Sequence, residues 1–150
     1  MGEQVVYLDS SAIVKRYIRE EGSDTVRRLY LRAYVGEATL SYSTWNIGEV
    51  LGALDRAVRL GRVSREVYSL VRRRFLLETR RMAKLGILIP VPVKLRILRE
   101  CWSLIEKHHI YQADALQIAS AKYVNADQFL TADGKLHRVA VEEGLNSTQL

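Results

Sequence analysis

The residues Val5-Val6-Tyr7-Leu8-Asp9-Ser10-Ser11 are the clearest indication of the fold in this sequence. Its first four residues are β-branched, aromatic or aliphatic, which is typical of a strand buried inside a sheet. Asp9 ends this apolar run, and Ser10 or Ser11 can cap a helix that begins directly after it. A short buried strand that passes at once into a helix is the usual opening of a β-α-β unit. These residues therefore predict an α/β protein.

The alternation of apolar strands with capped helices continues along the chain. Further strands are predicted at residues 38–42, 87–91 and 128–131, with a short last strand after Gly144. Helices are predicted at residues 11–20, 23–34, 44–60, 64–85, 93–107, 112–124 and 134–143. Such alternation implies right-handed crossovers, with helices on both faces of a parallel sheet. We therefore predict a three-layer α/β/α fold with a central parallel sheet of four to five strands, and a single domain over residues 1–150.

Composition narrows the class of protein and its location. Hydrophobic residues make up 48% of the 150 residues and charged residues 27%, which is the balance of a soluble globular protein. The longest nearly apolar stretch, residues 87–93, is interrupted by two prolines and is too short to cross a bilayer. Met1-Gly2-Glu3-Gln4 does not resemble a secretory signal. Cys101 is the only cysteine, so we expect no internal disulfide, a buried thiol and a cytoplasmic location.

The net charge of +6 is concentrated in one part of the chain. Residues 55–84 carry ten basic and three acidic side chains, a net of +7, so the other residues together are at −1. Arginine binds phosphate well because its planar guanidinium donates two hydrogen bonds at once. Two interpretations stay open: an RNA-binding surface, or a solvated helix face of the kind found in heat-stable proteins. The candidate RNA-binding residues are Arg72, Arg73, Arg74, Arg80 and Arg81.

Two aspartates follow predicted strands directly. Asp9 comes after the first apolar run, and Asp133 comes after Phe129-Leu130-Thr131-Ala132. Ligand sites of parallel sheets form outside the carboxyl ends of the strands, where the strand order reverses. Each aspartate also has a purely structural explanation, because Asp caps helices and Asp-Gly forms turns.

Two further acids lie on helix faces that we predict to point inward. Asp114 shares a face of helix 112–124 with Ile118 and Ala121. Small or aromatic residues, among them Trp45 and Gly52, surround Glu49 on its helix. A carboxylate that faces the interior costs several kcal/mol unless a cation or hydrogen-bond donors meet it. If the four acids converge, their oxygen-only donor set indicates Mg²⁺ or Mn²⁺.

Four short motifs resemble the PIN-domain family, and they occur in the family's order from about residue 4 to residue 146. These motifs are Asp9-Ser10-Ser11-Ala12 after the first strand, Glu49 in the helix after the second strand, Tyr111-Gln112-Ala113-Asp114-Ala115-Leu116, and Phe129-Leu130-Thr131-Ala132-Asp133-Gly134-Lys135-Leu136. In some relatives Asn occupies the position of Ser11. The resemblance is closest to the VapC-like toxins of this family.

The resemblance implies a metal-dependent ribonuclease that uses Mg²⁺ or Mn²⁺, is held inactive by a small antitoxin and forms a homodimer. It implies that the catalytic and metal-binding residues are Asp9, Glu49, Asp114 and Asp133. It gives an ancillary role to Thr131, Ser10 and Ser11. The alternative is a catalytically inactive PIN-fold module that binds RNA or a protein.

Other classes of enzyme fit the sequence less well. A haloacid-dehalogenase-type phosphatase needs a second Asp two residues after the first, where this chain has Ser11, and no glycine-rich phosphate loop is present. His108 and His109 lie between two predicted helices, so we expect them on the loop surface. The Tyr and Trp residues are scattered and predict no base-stacking platform.

Overall fold

The computed structural model describes residues 4–150. It has five strands and seven helices in the described part of the chain. The expectation of no secretory signal rests partly on residues 1–3, which lie outside the described residues. Within residues 4–150, none of the helices combines the length and the apolar character that a bilayer crossing requires.

The elements follow one another as the alternating sequence pattern predicts. The strands are β1 (Gln4–Leu8), β2 (Ala38–Ser43), β3 (Leu88–Val91), β4 (Gln128–Thr131) and β5 (Ser147–Gln149). The helices are α1 (Ser10–Tyr17), α2 (Ser23–Tyr34), α3 (Trp45–Arg59), α4 (Arg65–Lys84), α5 (Leu95–His108), α6 (Gln112–Tyr123) and α7 (Gly134–Glu142).

The five strands form one parallel sheet in the order β3-β2-β1-β4-β5. The three-layer α/β/α prediction is therefore confirmed, at the upper end of the predicted strand number. The central strand β1 has β2 on one side, where Val6 pairs with Leu40, and β4 on the other, where Val6 pairs with Gln128. The chain builds outward from β1 to β3 and then returns to the opposite side of β1. The strand order thus reverses between β1 and β4, which is where a site is expected.

Two apolar clusters cover the two faces of the sheet. One joins Val6 and Leu8 to residues of α1, α2, α3 and α4, including the fully buried Phe75. The other joins Tyr7 and Phe129 to residues of α5, α6 and α7. Successive residues of β1 point to opposite faces because side chains alternate along a strand. Asp9 follows Leu8 directly, so this packing fixes its position at the carboxyl edge.

Three local predictions differ from the structure. Asp9, and not Ser10 or Ser11, is the N-cap of α1. Gly22, not Ser23 or Asp24, is the N-cap of α2, and its φ of 84° lies in the left-handed region that glycine tolerates. The prediction that His108 lies on the loop surface was wrong: it is the last residue of α5, and its side chain is only 6% exposed. His109 is exposed, as predicted. Cys101 is a free, buried thiol, also as predicted.

Candidate active site

Asp9 is the most buried of the four predicted acids, with 5% of its surface exposed. It caps α1, because its Oδ1 accepts a hydrogen bond from the Ala12 backbone N–H at 2.9 Å. The same oxygen accepts from the Ser11 hydroxyl at 2.6 Å, and Oδ2 accepts from the Thr131 hydroxyl at 2.5 Å. Three donors, two in the first turn of α1 and one at the end of β4, therefore hold this carboxylate in one orientation.

Thr131 and Ser11 also connect Asp9 to the end of β4. The Thr131 Oγ1 accepts from the backbone N–H of Asp133 at 3.0 Å, and the Ser11 Oγ accepts from that of Ala132 at 2.9 Å. Asp133 in turn caps α7, since its Oδ1 accepts from the N–H groups of two residues of that helix. Both capping bonds use Oδ1, so Oδ2 takes no part in them.

Glu49 and Asp114 reach this edge of the sheet from α3 and α6. The Ser10 hydroxyl donates to Glu49 Oε1 at 2.8 Å, so α1 orients this partly buried carboxylate. Asp114 lies in the first turn of α6 and is also partly buried. Within residues 4–150, no hydrogen bond or ion pair engages its carboxylate, although the charge of Lys135 acts to lower its pKa.

The electrostatics join the four acids into one cluster. The pKa values of Asp9, Glu49 and Asp114 are each raised above the ordinary range, and burial is the main cause in all three. The charge of Asp133 raises the pKa of Asp9 and of Asp114 further, and the charge of Asp114 raises that of Glu49. Like charges that repel one another in this way lie within short range of each other.

The arrangement fits a hard divalent cation. Its donors are oxygens alone, which suit Mg²⁺ or Mn²⁺ better than zinc. Among residues 4–150 no side chain or backbone group donates to the partly buried Asp114 carboxylate, and a cation would relieve the repulsion among the acids. In the part of the chain that the structure describes, no three Asp, Glu, His or Cys side chains already stand close enough together to form a metal site.

A buried amide pair, which the sequence does not predict, joins the two helices that carry Glu49 and Asp114. Asn46 and Gln117 hydrogen-bond reciprocally, with Asn46 Nδ2 donating to Gln117 Oε1 at 2.8 Å and Gln117 Nε2 donating to Asn46 Oδ1 at 2.7 Å. Asn46 also donates to the Leu8 carbonyl, and the Tyr7 hydroxyl donates to Gln117. The only signal in the sequence was an amide inside an apolar stretch, three residues from an acid in each case.

The five arginines predicted to bind RNA are all exposed on α4. The guanidinium of Arg74 lies 5.6 Å from the centre of the Tyr17 ring, at the end of α1 opposite Asp9. On the same helix, Glu78 accepts from both Arg16 and Tyr17. These contacts join α4 to the far end of α1, which at eight residues is about 12 Å long.

The fold and the cluster together define a class: a parallel α/β protein with four carboxylates at the carboxyl edge of its sheet. A family model narrows this class, since the model of the PIN domain matches residues 6–142. The chain therefore belongs to the PIN-domain family, a family of nucleases that includes the toxins of toxin–antitoxin pairs. No curated protein matches the sequence.

Solved structures support the fold at low sequence identity. VapC20 of Mycobacterium tuberculosis, a toxin that cleaves the sarcin–ricin loop, is 14% identical with a TM-score of 0.65, over 97% of this chain and 99% of that one. PAE2754 of Pyrobaculum aerophilum is 18% identical with a TM-score of 0.65, over 96% and 83%. VapBC2 of Rickettsia felis, bound to DNA from its promoter, is 14% identical with a TM-score of 0.61, over 97% of this chain and 98% of that one.

Proposed function

We propose that this protein is a metal-dependent endoribonuclease that hydrolyses RNA phosphodiester bonds and acts as the toxin of a type II toxin–antitoxin pair. The observation that supports the proposal is the electrostatic coupling among Asp9, Glu49, Asp114 and Asp133. Burial raises the pKa of the first three, and the charge of a neighbouring acid of this set raises the pKa of each of them further. A purely structural set of acids would be paired with donors or bases, and within the described residues 4–150 no hydrogen bond or ion pair engages Asp114. Membership of the PIN-domain family supports the same conclusion.

Asp9, Asp114 and Asp133, with Glu49 directly or through water, would hold one or two Mg²⁺ or Mn²⁺ ions. Such an ion, when bound, supplies an acidified water and neutralises charge on the reacting phosphate. Side chains of the protein would orient the carboxylates that hold the ion. Ser11 and Thr131 fix the Asp9 carboxylate, and Ser10 orients Glu49. Ancillary hydroxyls of this kind keep ligands in one geometry and tune their basicity.

The proposal includes the cellular context that toxins of this family have. We propose a cytoplasmic protein of one domain that forms a homodimer and is inhibited by a small antitoxin. Exposed arginines of α4 would contribute phosphate contacts away from the cleaved bond. The mass of the purified protein by light scattering, alone and with its candidate antitoxin, tests the assembly.

The deciding experiment is cleavage of a labelled single-stranded RNA in Mg²⁺, Mn²⁺ or EDTA. The wild type should cut only with metal, and Asp9→Asn, Glu49→Gln and Asp114→Asn should each lose at least about 100-fold in rate, since each removes charge that the metal needs. Asp24→Asn is the matched control, because Asp24 is exposed at the start of α2. Mn²⁺ binding by calorimetry gives a second readout and should be lost in the same three variants.

A catalytically inactive module that binds RNA or a protein is the competing function. It predicts no cleavage under any metal condition by freshly purified protein, and RNA binding that survives in EDTA and in Asp114→Asn. That combination would contradict the nuclease and leave the acids with a structural role.

A further inference from the structure

Trp45 begins α3 and lies one helical turn before Glu49. Half of this large side chain is exposed. With Gly48 and Glu49 it lines a shallow depression of about 340 Å³. A Cβ added at Gly48 would meet no atom within 4 Å, so the floor of the depression is open. The depression therefore has an aromatic side and a carboxylate side.

The carboxylate side of this depression belongs to the acidic cluster. Glu49 hydrogen-bonds with Ser10 and repels Asp114. The Trp45 side chain acts to lower the pKa of Glu49 against the larger effect of burial. The indole thus lies beside one of the four proposed metal ligands, with which it lines the depression. In a nucleotide the base is attached through a single ribose to its phosphate, so a phosphate at the cluster brings its own base to this depression.

We infer that the Trp45 indole stacks on a nucleobase of single-stranded RNA beside the bond that is cut. This inference rests on the proposed function and identifies one of its contacts with substrate. Unpaired bases are recognised by stacking on aromatic rings, and the stacking tolerates any base. The depression lies at the lower end of the range of about 300–1,000 Å³ for small-molecule sites, which suits one base. Within residues 4–150, no aromatic ring stacks on Trp45.

Trp102 provides a matched control for Trp45. It is the second of the two tryptophans in the sequence, it is also 50% exposed, and it lies on α5. Trp102→Phe leaves Trp45 as the only indole, and Trp45→Phe leaves Trp102. Each variant therefore reports on one position by its fluorescence.

The first experiment follows indole fluorescence by stopped flow as a short single-stranded RNA binds in Mg²⁺, before cleavage proceeds. We expect quenching in Trp102→Phe and none in Trp45→Phe. A set of RNAs, each with a single abasic ribose at a different position, locates the stacked base. Only the RNA that lacks the stacked base should fail to quench the fluorescence. Quenching that is insensitive to every abasic substitution, or that changes with protein concentration alone, would overturn the inference in favour of a protein contact.

The second experiment compares cleavage kinetics of Trp45→Ala and Trp45→Phe. Loss of one stacked base should raise KM by about 10- to 100-fold in Trp45→Ala. Trp45→Phe should recover most of this, because phenylalanine keeps an aromatic ring that can stack on a base but lacks the indole N–H beside Glu49. On the RNA with the identified abasic position, wild type and Trp45→Ala should become equal. If Trp45→Phe is as impaired as Trp45→Ala, Trp45 positions Glu49 and stacking is wrong.

Gly48→Leu keeps the test valid if Trp45→Ala folds poorly. The new side chain would point into open space, and leucine favours a helix more than glycine does. We expect an unchanged or higher Tm and about 10-fold weaker RNA binding. Unchanged binding would overturn the inference. If no variant or wild type cleaves RNA, the nuclease fails, whereas base-dependent quenching of Trp45 would still support the stacking site.

Discussion

At the scale of single residues, the two strand-end aspartates depend on one hydroxyl. Thr131 is fully buried, and its Oγ1 donates to Asp9 while it accepts from the Asp133 backbone. A buried carboxylate is stabilised in its charged form by each donor that it gains. Thr131 therefore opposes the effect of burial on the pKa of Asp9, which is nonetheless raised.

Thr131→Val should make the metal site weaker at low pH. The valine has nearly the same shape but donates nothing, so the pKa of Asp9 should rise further above its ordinary range. Metal ligands must be deprotonated, so half-maximal Mn²⁺ binding should move to higher pH. Calorimetric titrations across the range from acid to neutral pH measure this shift.

Thr131→Ser is the control for this prediction, because it keeps the hydroxyl. It should leave the pH dependence of Mn²⁺ binding close to that of the wild type. If the valine and serine variants have the same pH profile, the hydroxyl does not tune Asp9, and the prediction is wrong.

The same residues explain which parts of the site the sequence could predict. Asp9 and Asp133 each follow an apolar run directly, so a local pattern is sufficient to place them at a strand end. The contact between Asn46 and Gln117 joins residues 71 positions apart. No local pattern indicates such a pair, because an amide within an apolar stretch can be satisfied in many ways.

At the scale of elements, this amide pair connects the two helices that carry the helix-borne acids. Asn46 lies on α3, one turn before Glu49, and Gln117 lies on α6, one turn after Asp114. Both amides are buried, and each uses oxygen and nitrogen in the reciprocal bond. The pair therefore sets how the carboxylates of the two helices face each other.

We expect Asn46→Ala and Gln117→Ala each to lower the free energy of unfolding by about 1–3 kcal/mol, because each leaves a buried partner unsatisfied. The double variant should cost less than the sum of the two, since it removes both partners. Urea unfolding of the three variants measures this coupling. Additive losses would contradict a reciprocal pair, and unchanged RNA cleavage in all three would show that the pair does not position the acids.

The arginine-rich helix α4 gives a prediction about salt. If its exposed arginines bind phosphates, each contact contributes about −0.7 to the slope of log affinity against log salt for single-stranded RNA. The triple variant Arg72→Ala, Arg73→Ala, Arg80→Ala should therefore reduce the slope by about 2. Fluorescence anisotropy over a range of salt concentrations measures the slope. Arg74 stays unchanged in this variant, because its guanidinium lies against the Tyr17 ring.

A second triple variant separates a specific surface from general charge. Arg96, Arg99 and Arg138 are equally exposed and lie on α5 and α7. Replacing these three by alanine removes the same charge and should change the slope little. An equal reduction in both triple variants would indicate that α4 is only a solvated basic face.

At the scale of the whole molecule, the sequence predicted the layers and the parallel sheet but not the strand order. The spacing of apolar residues in helices and strands is set by neighbouring positions in the sequence. Most predicted ends of helices and strands therefore agree with the structure within one or two residues, as for α6 and β4. The order β3-β2-β1-β4-β5 depends on pairing between distant segments, for which one sequence holds no direct signal. The sequence predicts His108 on the surface because it lies between two predicted helices, and no local pattern indicates its partner Glu143, which lies 35 positions later.

Glu143 joins three helices on the face of the sheet away from α4. Its carboxylate accepts from Lys107 at 2.7 Å and from Lys122 at 2.7 Å, and it lies 2.8 Å from the Nε2 atom of His108. Glu143 directly follows α7 as its C-cap residue, and its side chain is only 9% exposed. Hydrogen bonds from Lys107, Lys122 and His108, in that order, lower the pKa of Glu143 to about 2.

Glu143→Gln should therefore destabilise the protein in a pH-dependent way. In the unfolded chain this carboxyl titrates near its ordinary pKa of about 4.3. Because the folded pKa is lower, the contribution to stability is complete above the unfolded value and is lost as pH falls towards about 2. We expect Glu143→Gln to be about 2 kcal/mol less stable at neutral pH, a value reduced for the exposure of Lys107.

Urea unfolding of wild type and Glu143→Gln from neutral to acid pH measures this difference, which should close as the pH approaches 2. Glu142→Gln is the control: Glu142 also contacts His108, at 3.3 Å, but its side chain is 66% exposed, so the loss should be small at every pH. A stability gap for Glu143→Gln that is as large in acid as at neutral pH would mean that packing, and not the charge of Glu143, joins α5, α6 and α7.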